Sequence, residues 1–333
     1  MNKLKNINLN PPVFLAPMAG ITDTPSREIA KLFRPGLVVS EMIASSEHDK
    51  EYFQDTVKAN LSGKKSKSCK CPTAIQIAGH EIAWMSFAAK VVESEGGDLV
   101  DINMGCPAKK IVGKLAGSAL MKEPLHALKM IESIVNSTDL PVTLKMRLGW
   151  DIDQINAPSI AKSAENTGVQ IITVHARTRN QFFKGEPDWS LVRAVKEAVS
   201  IPVVVNGNIV DSGSAKEAIN KSFADGVMIG RGAIGKPWLI SHLSKSVYGI
   251  TAENIGHDIP MSELVKLHFH KSLEYYGEKI GLRIFRKHLG NYLKNVELDP
   301  RYYQTLMTEV SITSLEEKIQ SVFLGKKVTI FND

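Results

Sequence analysis

The stretch 99–110, LVDINMGCPAKK, places a cysteine where an apolar run gives way to a polar, glycine-containing turn. Asp101 and Asn103 alternate with Val100 and Ile102, so on an extended chain the two polar side chains share one face. Burying such groups is costly unless a ligand or a network satisfies them. Cys106, between Gly105 and Pro107, is therefore a candidate for chemistry, the alternative being an inert cysteine closing a strand. Lys145 and His175 end two further apolar runs. A lysine there can hold an anionic ring position or a phosphate, and a histidine can donate to the same ligand. A surface lysine and a satisfied core histidine are the alternatives.

Eight apolar, β-branched runs carry these residues, at 13–16, 37–40, 73–77, 99–102, 142–146, 171–175, 203–206 and 226–229. They are near-continuously apolar, as parallel strands covered by helices require. Helical patterns fall between them at 26–33, 84–95, 125–137, 158–167, 191–199 and 213–220. Eight βα units in series predict an α/β fold, the TIM (β/α)8 barrel. An open, doubly wound sheet is the alternative, and the missing GxGxxG turn after the first run weighs against it. Thr24 before Pro25 reads as a helix cap. Gly36, Gly96-Gly97 and Gly168 stand where left-handed helix ends are common, and Pro141 and Pro202 open strands.

In such a barrel, chemistry sits at the C-terminal strand ends. The runs end in Pro17-Met18-Ala19-Gly20, Glu41-Met42, Gln76 with Ala78-Gly79, Asn103 to Cys106, Lys145 with Arg147, His175 to Arg179, Asn206-Gly207-Asn208 and Gly230-Arg231-Gly232. Nearly every run turns polar at the same end, which predicts a lined pocket. The last two turns offer small or absent side chains, where barrels of this kind bind phosphate.

At 333 residues the chain can form one large α/β domain with an appendage, or two domains. Its 43% hydrophobic and 23% charged residues are an ordinary globular composition. The polar, lysine-bearing start lacks an apolar signal region, and no run is long enough for a membrane span. Three cysteines make no disulfide framework, so a reducing, cytoplasmic setting is expected. The CxC of Cys69 and Cys71 stands alone, and no metal is expected. The net charge of +6 is clustered: 61–71 holds four lysines and no acid, and 281–294 holds two arginines, two lysines and a histidine. Such clusters attract polyanions such as nucleic acid, with a solvated loop and a solvated helix face as the plain alternatives. Helical patterns resume at 261–276, 281–296, 300–308 and 314–324. Within the second, Arg283, Lys287 and Lys294 share a face with Arg286 adjoining it, opposite Phe285, Leu289, Tyr292 and Val296. The expected division is a barrel over 1–240, a linker over 241–260 and a small all-helical domain over 261–333.

The ordered motifs LAPMAGITDTPSR, QIAG, DINMGCPAKK, LKMRLGW, HARTR, NGNI and IGRGAIGKPW resemble those of the tRNA-dihydrouridine synthases. KLAGSALM after the fourth run makes the bacterial B-type subfamily the nearest match. The resemblance implies an FMN-binding barrel that reduces particular uridines in tRNA to 5,6-dihydrouridine with NADPH or NADH. It implies that Pro17, Met18 and Ala19 pass along the flavin ring, and that Gln76 and Lys145 bond its polar edge. His175, Asn206, Gly207, Asn208, Gly230 and Arg231 would surround the ribityl chain and phosphate. Cys106 would be the general acid, Asn103 would face the target base, and Arg177 and Arg179 would contact uracil or nearby backbone. Asn208 departs from the acid more usual in that turn, a mild change if the backbone N–H does the binding. Hydride delivered to uracil C6 leaves enolate character at C4–C5, and a thiol held beside the ring can protonate C5. A buried base must also be swung out of folded RNA, which gives the basic helical tail (Arg283, Arg286, Lys287, Lys294) a role in gripping tRNA. A monomer is expected. A flavin barrel acting on a free pyrimidine, such as a dihydroorotate dehydrogenase, and a non-enzymatic RNA-binding barrel are the rival classes.

Overall fold

The computed structural model describes residues 9–44, 49–62, 71–250 and 259–328. Eight parallel strands form its core: β1 (Val13–Leu15), β2 (Leu37–Val39), β3 (Thr73–Ala78), β4 (Leu99–Met104), β5 (Val142–Arg147), β6 (Ile171–His175), β7 (Val203–Asn206) and β8 (Gly226–Ile229). Each pairs with its neighbour in chain order, and β8 returns to β1 with Ile229 opposite Leu15. The sheet therefore closes on itself. A two-residue strand, Ile43–Ala44, lies beside the upper end of β3. This is the TIM barrel that the eight apolar runs predict.

A helix follows each strand: α1 (Thr24–Lys31), α2 (Lys50–Leu61), α3 (Ile82–Ser94), α4 (Pro124–Ser137), α5 (Ala157–Thr167), α6 (Ser190–Ala198), α7 (Ser212–Ser222) and α8 (Leu239–Tyr248). Two apolar clusters divide the strand residues by parity. Val13, Leu15, Ile75, Ile77, Val100, Ile102, Val203 and Val205 face the helices. Phe14, Leu37, Ala74, Leu99, Ile171, Val204 and Met228 fill the barrel interior. Above that floor the inward positions become polar: Gln76, Asp101, Asn103, Thr143, Thr173, His175 and Asn206 are all buried. The same period-2 alternation that packs the floor thus aims polar side chains into the upper barrel.

Several local expectations change. Asp23, not Thr24, caps α1: its carboxylate accepts from Ser26 N, while the Thr24 hydroxyl donates to Ala59 O on α2. Gly36 is not a left-handed cap; a Cβ there would stand 2.0 Å from Pro11 O, so the glycine lets the incoming chain cross β2. Helix α2 was not foreseen, although Asp49 caps it and Phe53, Val57 and Leu61 bury one stripe at four-residue spacing. Each of those side chains adds roughly 1.5–3 kcal/mol of burial. Helix α8 crosses the expected boundary at 240 and occupies the start of the expected linker, with Ser241 bonding Phe33 O. The lysines of the 61–71 run fall on 63–70, outside the described residues, as do 251–258 of the linker.

Four more helices follow: α9 (Met261–Tyr276), α10 (Glu278–Tyr292), α11 (Pro300–Thr308) and α12 (Ile312–Val322). Phe269, Phe285, Leu289, Leu306, Leu315, Ile319 and Phe323 are buried among them. The group is docked on the barrel beside α1 and the turn after β8. Lys271 pairs with Glu28, the Tyr276 hydroxyl donates to Asp23 Oδ2 at 3.0 Å, and Asn295 Nδ2 donates to Gly235 O at 2.8 Å. Gly235 has φ +72°, and a Cβ on it would lie 2.5 Å from the Asn291 carbonyl, so only glycine admits this contact. No helix among the described residues is long and apolar enough to cross a membrane.

Candidate active site

A cavity of about 850 Å³ opens at the C-terminal ends of the strands. It is lined by Pro17, Met18, Ala19, Gln76, Asn103, Cys106, Lys145, His175, Arg177, Asn206, Gly207, Asn208, Gly230 and Arg231. Residues spread over most of the barrel sequence therefore converge as expected. Arg179 does not line it: its guanidinium stacks between Trp150 and Phe182, 4.5 and 4.8 Å from the ring centroids.

A hydrogen-bonded chain runs beneath the cavity floor. Thr143 Oγ1 donates to Asp101 Oδ1 at 2.6 Å, and Gln76 Nε2 donates to Asp101 Oδ2 at 2.7 Å. Asn103 Nδ2 donates to Gln76 Oε1 at 2.7 Å. Asn103 Oδ1 then accepts from the backbone N–H of Gly105 at 3.1 Å and of Cys106 at 3.0 Å. Both lone pairs of that carbonyl are engaged, so Asn103 holds the Cys106 turn and keeps one amide hydrogen for anything else. Gln76 likewise retains one N–H toward the cavity. Ser118 Oγ donates to Cys106 O at 2.9 Å, closing the turn from the other side.

Arg147, two positions after Lys145 and on the same strand face, was not assigned a role from sequence, although the period of a strand places it in the wall. It is buried, and its Nε donates to Gly105 O at 2.7 Å. Its Nη1 donates to Thr178 O and Phe182 O, both at 2.8 Å. Arg147 thus joins the Cys106 turn to the loop after β6. That loop brings Phe183 to the mouth, with Arg147 and Arg231 5.4 and 5.7 Å from its ring centroid. Two adjacent phenylalanines in a polar loop were the available signal.

Electrostatically the cavity is one-sided. Lys145, Arg147, Arg177 and Arg231 line it, and among the described residues no carboxylate does. Burial, with Arg147 adding to it, lowers Lys145 to a pKa of about 8 against the opposing pull of Asp101. Burial raises Asp101 to about 6, opposed by its bonds from Thr143 and Gln76. Burial and the four surrounding cations hold His175 well below its ordinary value. Arg177 Nη1 lies 3.2 Å from His175 Nε2, and a guanidinium can only donate, so Nε2 carries the lone pair. At the last two turns Asn208 has φ +48° and links Glu186 to Arg231, accepting from Arg231 Nη2 at 3.1 Å. Trp189 Nε1 fixes the Gly207 carbonyl at 2.9 Å.

The basic residues of α10 divide. Lys287 reaches the barrel rim, where a Cβ on Gly20 would lie 3.6 Å from its Nζ. Arg283 is exposed, and Lys294 just beyond α10 is exposed and donates to Asn291 Oδ1. Arg286 is half-buried and donates to Glu309 O at 2.7 Å, tying α10 to the turn between α11 and α12.

Fold and site together define a (β/α)8-barrel protein with a cationic cavity and a cysteine-bearing turn at its catalytic face. The family model described as Dihydrouridine synthase (Dus) matches residues 14–326. A probable tRNA-dihydrouridine synthase of Rhodobacter capsulatus is 49% identical over 291 residues, 87% of this chain and 88% of the relative. One from Rickettsia conorii is 47% identical over 295 residues, 88% and 87% of the two chains. The tRNA-dihydrouridine synthase B of Vibrio parahaemolyticus is 39% identical over 309 residues, 91% and 92% of the two chains. The chain belongs to the dihydrouridine synthase family.

Proposed function

We propose that this chain reduces specific uridines of tRNA to 5,6-dihydrouridine, using FMN re-reduced by NADPH or NADH. The observation that carries the reading is the cavity itself. Four cations with no carboxylate beside them among the described residues suit an anionic ligand, and about 850 Å³ suits an organic cofactor with a base beside it. The fit extends to the donors. Gln76 offers its remaining N–H and Lys145 a cation to the polar edge of a flavin. Pro17, Met18 and Ala19 form a wall against the ring. His175, Asn206, Gly207, Asn208, Gly230 and Arg231 are grouped where a ribityl phosphate would lie. Bound there, reduced flavin would supply the hydride for uracil C6.

The protein's own part is to place a proton and exclude alternatives. Cys106 is the general acid toward C5, on a turn whose backbone is held by Asn103, Arg147 and Ser118. Arg177 lies in the cavity wall for contact with the base, and Arg179 outside it for nearby backbone. The barrel is the catalytic unit and the helices from 261 onward are the tRNA-binding unit, with Lys287 at the rim and Arg283 and Lys294 presenting charge; Arg286 supports that helix. The setting is a cytoplasmic monomer acting on tRNA. In Cys106→Ala, bound flavin and its reduction by NADPH should survive while dihydrouridine formation is lost. Full activity of that variant would remove the general-acid assignment, and a purified protein that cannot be loaded with FMN would overturn the reading as a whole.

A further inference from the structure

One buried cluster takes no part in this chemistry. Asp23 at the start of α1, His268 on α9 and His288 on α10 meet at the seam between barrel and tail, and all three are buried. One ligating atom from each lies within 4.8 Å of the other two. The two Nε2 atoms each stand 3.3 Å from Ser26 Oγ. A cavity of about 40 Å³ adjoins them, lined in part by Ser26, His268, His288 and Tyr292, and large enough for a water or an ion. The outer atoms are already held, and Asp23 Oδ1 also accepts from Ser26 N at 3.0 Å as the cap of α1. Tyr292 OH lies 3.0 Å from His268 Nδ1, and Tyr276 OH donates to Asp23 Oδ2 at 3.0 Å. Such outer partners fix the tautomer and orientation of metal ligands.

We propose that Asp23, His268 and His288 bind one Zn²⁺, with the Ser26 hydroxyl or a water as the fourth ligand, and that the ion staples the helical tail to the barrel. Two imidazoles and a carboxylate are a zinc donor set, and each atom needs to move by less than about 1 Å to reach zinc distances of about 2.0–2.2 Å. The Ser26 hydroxyl has one proton and two lone pairs, so in a purely hydrogen-bonded cluster at most one Nε2 presents its lone pair to it and at least one carries a proton. A metal takes the same lone pair from both. Asp23 belongs to the barrel and the two histidines to adjacent helices of the tail, which is why binding would act on docking rather than on the flavin cavity.

The test uses the full chain with Cys69→Ser and Cys71→Ser, so that the CxC cannot contribute. After chelator treatment and dialysis, Zn²⁺ is added and metal is measured after gel filtration. One zinc per chain and a raised Tm are expected, and Co²⁺ should give tetrahedral visible absorption bands. Asp23→Asn keeps a helix-capping side chain. It should weaken Zn²⁺ retention by more than about 100-fold, beyond the loss usual for an outer-shell change. His288→Gln should do the same, and where it fails to fold, Asp23→Asn decides. No retained zinc, or retention that Asp23→Asn leaves unchanged, overturns the proposal and leaves a hydrogen-bonded cluster.

Discussion

Replacing Asn103 by alanine separates two roles that one residue can play. The side chain accepts from Gly105 N and Cys106 N and donates to Gln76 Oε1. Alanine removes all three bonds without adding bulk. A buried polar group left without its partner costs about 1–3 kcal/mol. The turn borders the open cavity, so water can rescue part of the loss, and a total of about 2–3 kcal/mol follows. A chain of this length unfolds with about 0.7 kcal/mol per degree, so Tm should fall by about 3–4 °C. The larger effect is on the proton donor. A turn freed to move by about 1 Å is enough to lower a rate by about 10². Stopped-flow absorbance should show flavin reduction by NADPH little changed, while dihydrouridine formation on tRNA loses about two orders of magnitude in kcat at similar KM. A variant with unchanged kcat and a raised KM for tRNA would refute the reasoning, because Asn103 would then be contacting the base rather than holding the cysteine.

Three further outcomes are expected. Lys145 in the free protein titrates near 8, and an anionic ligand raises that value, so ligand affinity should fall as pH rises through about 8; FMN titrations followed by fluorescence should show this slope in the wild type and none in Lys145→Met. Gly235→Ala forces a Cβ to 2.5 Å from the Asn291 carbonyl at a positive φ, which costs about 2–4 kcal/mol, and calorimetry should find Tm lowered by about 3–6 °C. An unchanged Tm would show that the tail is not seated on this turn. Lys287→Glu with Lys294→Glu should weaken tRNA binding by roughly tenfold or more and flatten its salt dependence, leaving flavin content alone; unchanged tRNA affinity would return this helix to an ordinary solvated face.

Much of the architecture could be read locally because its causes are local. Runs of Val, Ile and Leu bounded by turns report a two-sided buried strand wherever they occur, and the bounds at 171–175, 203–206 and 226–229 coincide with β6, β7 and β8. Helix ends were less legible because neighbours compete for a cap. Asp23 and Thr24 both qualify, and the choice fell to Asp23 because Thr24 is drawn away to Ala59 O. Helix α2 went unread beside its lysine-rich continuation even though its stripe is regular. Family-specific motifs carried the cavity lining, since each motif lies at a strand end and closure of the barrel brings those ends together.

What the sequence by itself determined, then, is the eight-unit barrel, the polar strand ends and the cysteine among them. These depend on side-chain period and turn chemistry within a few residues. Tertiary structure alone decided how those groups are used. It saturated the Asn103 carbonyl with the Cys106 turn, turned Arg286 into a tie to Glu309 and stacked Arg179 outside the cavity. It also carried Lys287 to the rim and drew Asp23, His268 and His288 into one cluster. Each of these outcomes depends on which surfaces dock, and docking is settled by shape and burial between segments distant along the chain.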